Sequence, residues 1–235
     1  MTFGVPWPGE IGDGEELVYC SLCPRLVAFR ELCAQNIPPR FREDVRQHGF
    51  WGKPVSGFGD FQASLAIVGL APAAYGANRT GRMFTGDRSG DFLFAALARV
   101  GLANQAESKC PGDGLALSGV YITAALRCAP PKNRPLAQEL ARCRRFLLAD
   151  LLGLEKLRVI LALGRIAHQA VLSCFPQGLE RKPEFAHGGE FLLPNGLWLV
   201  SSYHVSQQNT FTGRLRAPEF DRILQRCLAL VASMG

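Results

Sequence analysis

The segment running from Ser201 to Arg214 packs His204, Gln207, Gln208, Asn209, several hydroxyls and Arg214 into one short stretch. Polar groups at this density are costly inside a core unless each finds a partner, so the stretch faces a cleft or solvent. An imidazole in that setting can donate a hydrogen bond to negative charge as it develops on a substrate. A lone histidine is ordinarily a surface residue; the company His204 keeps is what marks it. His48, His168 and His187 lie in segments without such context.

A second stretch with chemical potential is Gly69 to Gly90: Gly69, Leu70, Ala71, Pro72, Ala73 and Ala74, then Asn78-Arg79-Thr80-Gly81-Arg82 and Phe84-Thr85-Gly86-Asp87-Arg88-Ser89-Gly90. It is neither a GxxxxGK[ST] phosphate loop nor a GxGxxG dinucleotide loop. Small residues allow a ligand to approach the backbone closely. Arg79, Arg82 and Arg88 offer charge for phosphate groups. Phe84 can stack on a base or fill a core. Asp87 can act chemically or cap a helix beside Ser89.

The eight cysteines are Cys20, Cys23, Cys33, Cys110, Cys128, Cys143, Cys174 and Cys227. Cys20-x-x-Cys23 is half of a metal site, with Cys128 and Cys143 as candidates for the other half. The split spacing is loose for a zinc finger, whose pairs are usually close. It also suits a [4Fe–4S] cluster, and four buried thiols remain a third reading. Cys174 and Cys227 lie on apolar helix faces and read as core. Cys33 and Cys110 lack an evident partner.

The elements that must position these groups follow from hydrophobic patterning. Continuous apolar runs at 65–70, 119–123, 159–163 and 197–200 read as strands covered on both faces. Helical stretches at 91–100, 136–151, 165–174 and 218–233 alternate with them. The order predicts one α/β domain, a three-layer αβα sandwich around a short, about four-stranded parallel sheet. A helix over 20–35 precedes it, with Leu22, Leu26, Val27, Phe29 and Leu32 as expected buried positions, and a shorter helix over 41–50 follows. Residues 1–18 read as a flexible lead-in and 19–235 as the domain. Ligands of such folds bind at the carboxyl ends of the strands, where the loops at 69–90, 124–135, after 164 and 201–213 must lie.

The chain has 235 residues, with 26 Lys and Arg against 20 Asp and Glu, a net charge of +6. That excess suits a polyanionic partner. With 48% hydrophobic and 20% charged residues, a disordered chain is excluded. No apolar run reaches membrane-spanning length, and the acidic, Pro/Gly-rich start is unlike a secretory signal.

Together these residues resemble the uracil-DNA glycosylase superfamily, most closely its family 5, the type B enzymes. One motif is Gly69-Leu70-Ala71-Pro72-Ala73 with its extension to Gly90; the other is Ser202-Tyr203-His204-Val205-Ser206-Gln207-Gln208-Asn209-Thr210; the four cysteines Cys20, Cys23, Cys128 and Cys143 match the family's iron–sulfur spacing. The likeness spans about Cys20 to Arg214. It implies a monofunctional DNA repair hydrolase that flips uracil or another deaminated base, such as hypoxanthine, out of DNA, cuts its N-glycosidic bond and leaves an abasic site. It implies a structural [4Fe–4S] cluster, catalytic roles for Asp87, His204, Asn133 and Asn209, and base contacts from Gly69, Leu70, Ala71 and Phe84. Ala71 stands where the better-known families carry an Asp, which is typical of family 5 and removes a strong general base. Arg79, Arg82, Arg88, Lys132, Arg134 and Arg214 are the expected DNA contacts. A monomer acting in the cytoplasm on the nucleoid is expected. The rivals are a non-catalytic DNA-binding protein with a structural metal and an iron–sulfur redox protein.

Overall fold

The computed structural model describes residues 17–234. Most of the expected lead-in lies outside that range. Leu17, inside it, is buried, and its carbonyl accepts from the Cys20 amide at 2.9 Å.

Four parallel strands form the centre: β2 (Leu65–Gly69), β3 (Val120–Ala124), β4 (Val159–Leu163) and β6 (Trp198–Ser202). They stand in the order β3-β2-β4-β6. Two short antiparallel strands extend the edges, β1 (Phe58–Gly59) beside β3 and β5 (Glu190–Leu192) beside β6. The sheet therefore has six strands where the sequence predicts about four. The extra two are only two and three residues long, too short to carry a periodic signal.

Alternation along the strands divides the core in two. Leu65 and Ile67 of β2, Val120 and Ile122 of β3, and Val159, Leu161 and Leu163 of β4 face one side. There they meet α4 (Arg88–Arg99) and α8 (Ala217–Ala232). Ala66, Val68, Tyr121, Ile160 and Ala162 face the other. They meet α5 (Ala137–Gly153) and α6 (Arg165–Cys174). Being buried on both faces is why these strands read as unbroken apolar runs. The loop after β2 leads to α4 on the first face, while those after β3 and β4 lead to α5 and α6 on the second. Diverging loops open a crevice at the carboxyl end of the sheet. Two short helices, α3 (Ala77–Thr80) and α7 (Gln207–Phe211), lie within the loops after β2 and β6. Among the described residues no helix is long and apolar enough to cross a membrane.

The N-terminal helix α1 (Pro24–Gln35) is followed by α2 (Arg42–His48). It buries Leu26, Arg30 and Cys33, the stripe expected at i, i+4 and i+7. Leu22 and Leu32 were expected to be buried but are 49% and 53% exposed. Leu22 precedes the first turn, and Leu32 points away from the stripe. Arg25 anchors α1 on α5, donating from Nε and Nη2 to the Glu139 carboxylate at 2.8 and 2.6 Å.

Behind β3, Arg127 is buried at 1% exposure. Its Nη2 donates to the Phe146 carbonyl at 3.0 Å and to Asp150 at 2.5 Å, and Thr123 donates to the same carboxylate oxygen. Removing one partner of a buried ion pair leaves an uncompensated charge. Asp150→Ala is expected to lower the unfolding free energy by about 3–5 kcal/mol. Urea unfolding followed by circular dichroism checks this, and a midpoint equal to wild type would show that the pair contributes little.

Candidate active site

The loop after β2 turns on Phe84, whose backbone is left-handed at φ 53°. Non-glycine residues adopt this region at a cost, and only when their surroundings enforce it. Two glycines supply the room. A Cβ at Gly69 would come within 2.7 Å of Phe84 Cζ, and one at Gly90 would fall on the Phe84 carbonyl oxygen. The ring thus lies over the end of β2.

Asp87 caps α4: one carboxylate oxygen accepts from the Ser89 and Gly90 amides at 2.8 and 3.1 Å. Its other oxygen sits against Gly76, where any side chain would collide with it. Burial pushes this carboxyl above its usual range, outweighing the two amides and the nearby Arg79. Capping and a chemical role are therefore open to different oxygens of the same group.

His204 follows β6. Its carbonyl accepts from Asn209 Nδ2 at 2.8 Å, so Asn209 acts on the backbone that carries the imidazole. The ring lies 6.2 Å from that of Phe84, the two planes inclined by 28°. Gly164, at the end of β4, donates its amide to the Ser202 carbonyl at 2.8 Å. A Cβ there would stand 3.4 Å from that of His204. The loops after β2, β4 and β6 thus converge. Burial alone pulls the His204 pKa down to about 4, leaving a neutral imidazole at pH 7. Leu70 and Ala71, just past β2, are partly buried.

The six cations expected to grip DNA divide into two groups. Arg79 donates to the Tyr75 and Gly86 carbonyls at 2.8 and 3.3 Å, pairs with Asp44 and lies 4.7 Å from the Phe41 ring centre. Arg82 donates to Thr85, Ser108 and Asp113 at 3.0, 2.7 and 2.7 Å. Burial raises the Asp113 carboxyl, but Arg82 and the amides of Lys109 and Leu115 outweigh it and hold the pKa at about 2. Both arginines are buried and tie the loop after β2 to Asp44 of α2 and to the segment holding Ser108 and Asp113, a correction to the expected DNA-facing set. Arg88, Lys132, Arg134 and Arg214 are exposed. Arg88 reaches to 5.7 Å from the ring centre of Phe211, which is 70% exposed. Lys132 and Asn133 form an exposed turn with left-handed φ values of 55° and 54°.

Cys20, Cys23, Cys128 and Cys143 line one small cavity, partly open to solvent, with Arg127, Arg142 and Phe146. Arg30 donates to Cys128 Sγ at 3.4 Å and the Arg127 amide to Cys143 Sγ at 3.3 Å. Arg127 Nε and Nη1 are buried with no partner among the described residues. N–H donors and buried cations suit sulfur that carries negative charge, so the surroundings fit an all-thiolate metal group. Among the described residues no three Cys, His, Asp or Glu are grouped tightly enough to hold a single ion. Cys174 and Cys227 are buried, and burial pushes both thiols up to about 12.

Two histidines without context in the sequence have one in the fold. His168 is buried, with Nδ1 2.8 Å from Ser201 Oγ and Nε2 donating to the Pro183 carbonyl at 2.9 Å. His187 Nδ1 accepts from the Tyr203 amide at 3.1 Å. Their partners lie 15 to 33 residues away in the chain, so no local pattern could reveal them.

Comparison with known proteins identifies the family of the chain. Residues 56–227 match the family described as the uracil DNA glycosylase superfamily. A type-5 uracil-DNA glycosylase of Thermus thermophilus is 49% identical over 92% of this chain and 95% of its own length. Another, of Mycobacterium leprae, is 47% identical over 89% of this chain and 90% of its own. A type-4 enzyme of Pyrobaculum aerophilum is 33% identical over 57% of this chain and 61% of its own. This chain therefore belongs to the uracil-DNA glycosylase superfamily, within its type-5 group.

Proposed function

We propose that this protein hydrolyses the N-glycosidic bond of uracil in DNA, releasing the base and leaving an abasic site. The observation that carries the reading is the placement of His204, a part-buried imidazole 6.2 Å from the Phe84 ring where the loops after β2, β4 and β6 converge. A base inside a duplex is out of reach, so the nucleotide must be flipped into the crevice at a cost of a few kcal/mol, less at a mismatch. Phe84 offers a face for it to stack on. Cleavage of a glycosidic bond passes through a cationic sugar while negative charge gathers on the leaving base. A neutral imidazole N–H can donate to that charge at the uracil O2, and burial strengthens the bond. The Asp87 oxygen left free of the helix cap can stabilise the sugar or hold the attacking water. Ala71 supplies no base, and a water meeting a formed cation needs little activation. Asn209 orients His204 through its carbonyl, and Asn133 serves from the exposed turn at 131–133.

The small side chains of Ala71, Ala73 and Ala74 leave the crevice with few fixed polar contacts, which supports acceptance of hypoxanthine beside uracil. Arg88, Lys132, Arg134 and Arg214 hold phosphates. The enzyme acts as a monomer on cytoplasmic, nucleoid DNA. The four cysteines would hold a structural [4Fe–4S] cluster through their thiolates, tying the start of α1 to the loop after β3 and to α5.

Release of uracil from G·U, A·U and single-stranded oligonucleotides tests the reading directly. His204→Ala is expected to slow single-turnover excision by roughly a hundredfold to a thousandfold with unchanged thermal unfolding; near wild-type rates would remove His204 from the chemistry. Asp87→Asn keeps the helix cap, since Asn caps about as well as Asp, but deletes the charge. It should lose activity while Tm holds, and full activity would reduce Asp87 to a cap. In the wild type the raised Asp87 pKa makes activity fall at a higher pH than an ordinary carboxylate would, as protonation removes the anion.

Lys132→Ala should weaken DNA binding and lower the slope of log K against log salt by about 1. An unchanged slope would place Lys132 off the DNA. The purified protein should be brown and contain iron and acid-labile sulfide in equal amounts; a colourless protein with zinc would refute the cluster.

A further inference from the structure

The segment Pro183–Gly189 lies outside both motifs, yet it holds the strand end that delivers His204. The Gly188 amide donates to the Ser201 carbonyl at 2.7 Å, and the Ser201 amide donates to Gly189 at 2.9 Å. His168 bridges the Pro183 carbonyl to Ser201 Oγ. Phe185 sits 6.2 Å from the Tyr203 ring. His187 makes the contact nearest the site. Its ring stacks on Tyr203 at 4.4 Å, nearly parallel at 7°, and its Nδ1 accepts the Tyr203 amide proton at 3.1 Å. The Arg214 guanidinium lies 4.2 Å from the same Tyr203 ring. Tyr203 thus packs against both His187 and Arg214.

We infer that His187 is a positioning residue for His204: its clasp on the Tyr203 amide fixes the Ser202–Tyr203 peptide, the backbone one residue ahead of the imidazole, and the clasp opens when the ring takes up a proton. This rests on the proposed glycosylase reading for its effect on rate. The physical reason is a matter of donors and acceptors. Nδ1 accepts only while it lacks a proton, which places the proton of the neutral ring on Nε2. Protonation at Nδ1 sets a donor against the Tyr203 N–H and a cation near Arg214. The groups acting on His187 are Tyr203, stacked on it, with Arg214 and Phe185 against the same Tyr203 ring, and Glu219 on α8. Burial holds its pKa below the usual 6.5, aided by Arg214 and opposed by Glu219, so the clasp stays closed at neutral pH and opens on the acid side.

Two variants of the full chain separate this role from simple packing. His187→Asn places an amide oxygen the same number of bonds from Cα as Nδ1, an acceptor that does not titrate. His187→Ala removes the acceptor. Single-turnover uracil release from a G·U duplex is measured between pH 5 and 8 (about the range in which histidine changes charge), together with duplex affinity. His187→Ala should lose roughly tenfold to a hundredfold in rate at pH 7, with affinity changed far less. His187→Asn should restore the rate and show a shallower acid decline than wild type. Titration of Asp87 and His204 is common to wild type and variant and cancels in their ratio. Equal rates and equal pH profiles in all three proteins would overturn the inference. Amide exchange of Tyr203 in the free wild-type protein, followed by NMR, tests the clasp without DNA. Protection lost as His187 protonates supports it, and exchange indifferent to that titration overturns it. If the protein released no uracil but the amide titrated, the glycosylase reading would fail and the clasp would stand.

Discussion

The site depends on Phe84 being held in a backbone conformation that its side chain disfavours. Left-handed φ at a bulky residue costs of order 1–3 kcal/mol, and the surrounding structure has to over-determine it. Here two glycines, one at the end of β2 and one in the first turn of α4, leave space that only a missing Cβ could provide. With Phe84 fixed, its ring covers the end of β2 and meets His204 from β6. The strand ends, the α4 cap at Asp87 and the imidazole thus become parts of one object. Relaxing any of them would release the strain and separate the two halves of the crevice.

Burial then sets the chemistry. His204 and Asp87 are both driven towards their neutral forms by loss of water, the imidazole by losing a proton and the carboxyl by keeping one. The helix start resists this for Asp87, because two backbone amides favour the anion. One end of α4 thereby serves both folding and the electrostatics of the site. The arginines divide along a similar line. Arg79 and Arg82 spend their charge inside the loop after β2, fastening it to Asp44 and Asp113, and only the exposed ones remain for a phosphate backbone.

Much of this was legible in the sequence. The four parallel strands and the flanking helices follow from apolar runs and helical periodicity, because burial on both faces leaves an unmistakable composition at 65–69 or 159–163. The polar loop at 201–214 stood out because such residues have no place in a core. What stayed hidden was long-range. Arg79 and Arg82 read as solvent-facing charges because their partners, Asp44 and Asp113, are distant in sequence. His187 and His168 carried no local signal, since the strand end they hold is built elsewhere in the chain. Strands β1 and β5 exist only as edges to an already formed sheet. Leu22 and Leu32 misled because an apolar type was taken for a buried position, whereas Arg30 takes the place in the stripe next to Cys128.

The docking of α1 on α5 bears on the order in which the molecule is made. Arg25 grips Glu139 across 114 residues, and Arg142 reaches back 120 residues to the Leu22 carbonyl. During synthesis α1 leaves the ribosome long before its seat on α5 exists. Helix α1, with Cys20 and Cys23 beside it, can therefore settle only once the segment carrying Glu139 and Arg142 has emerged.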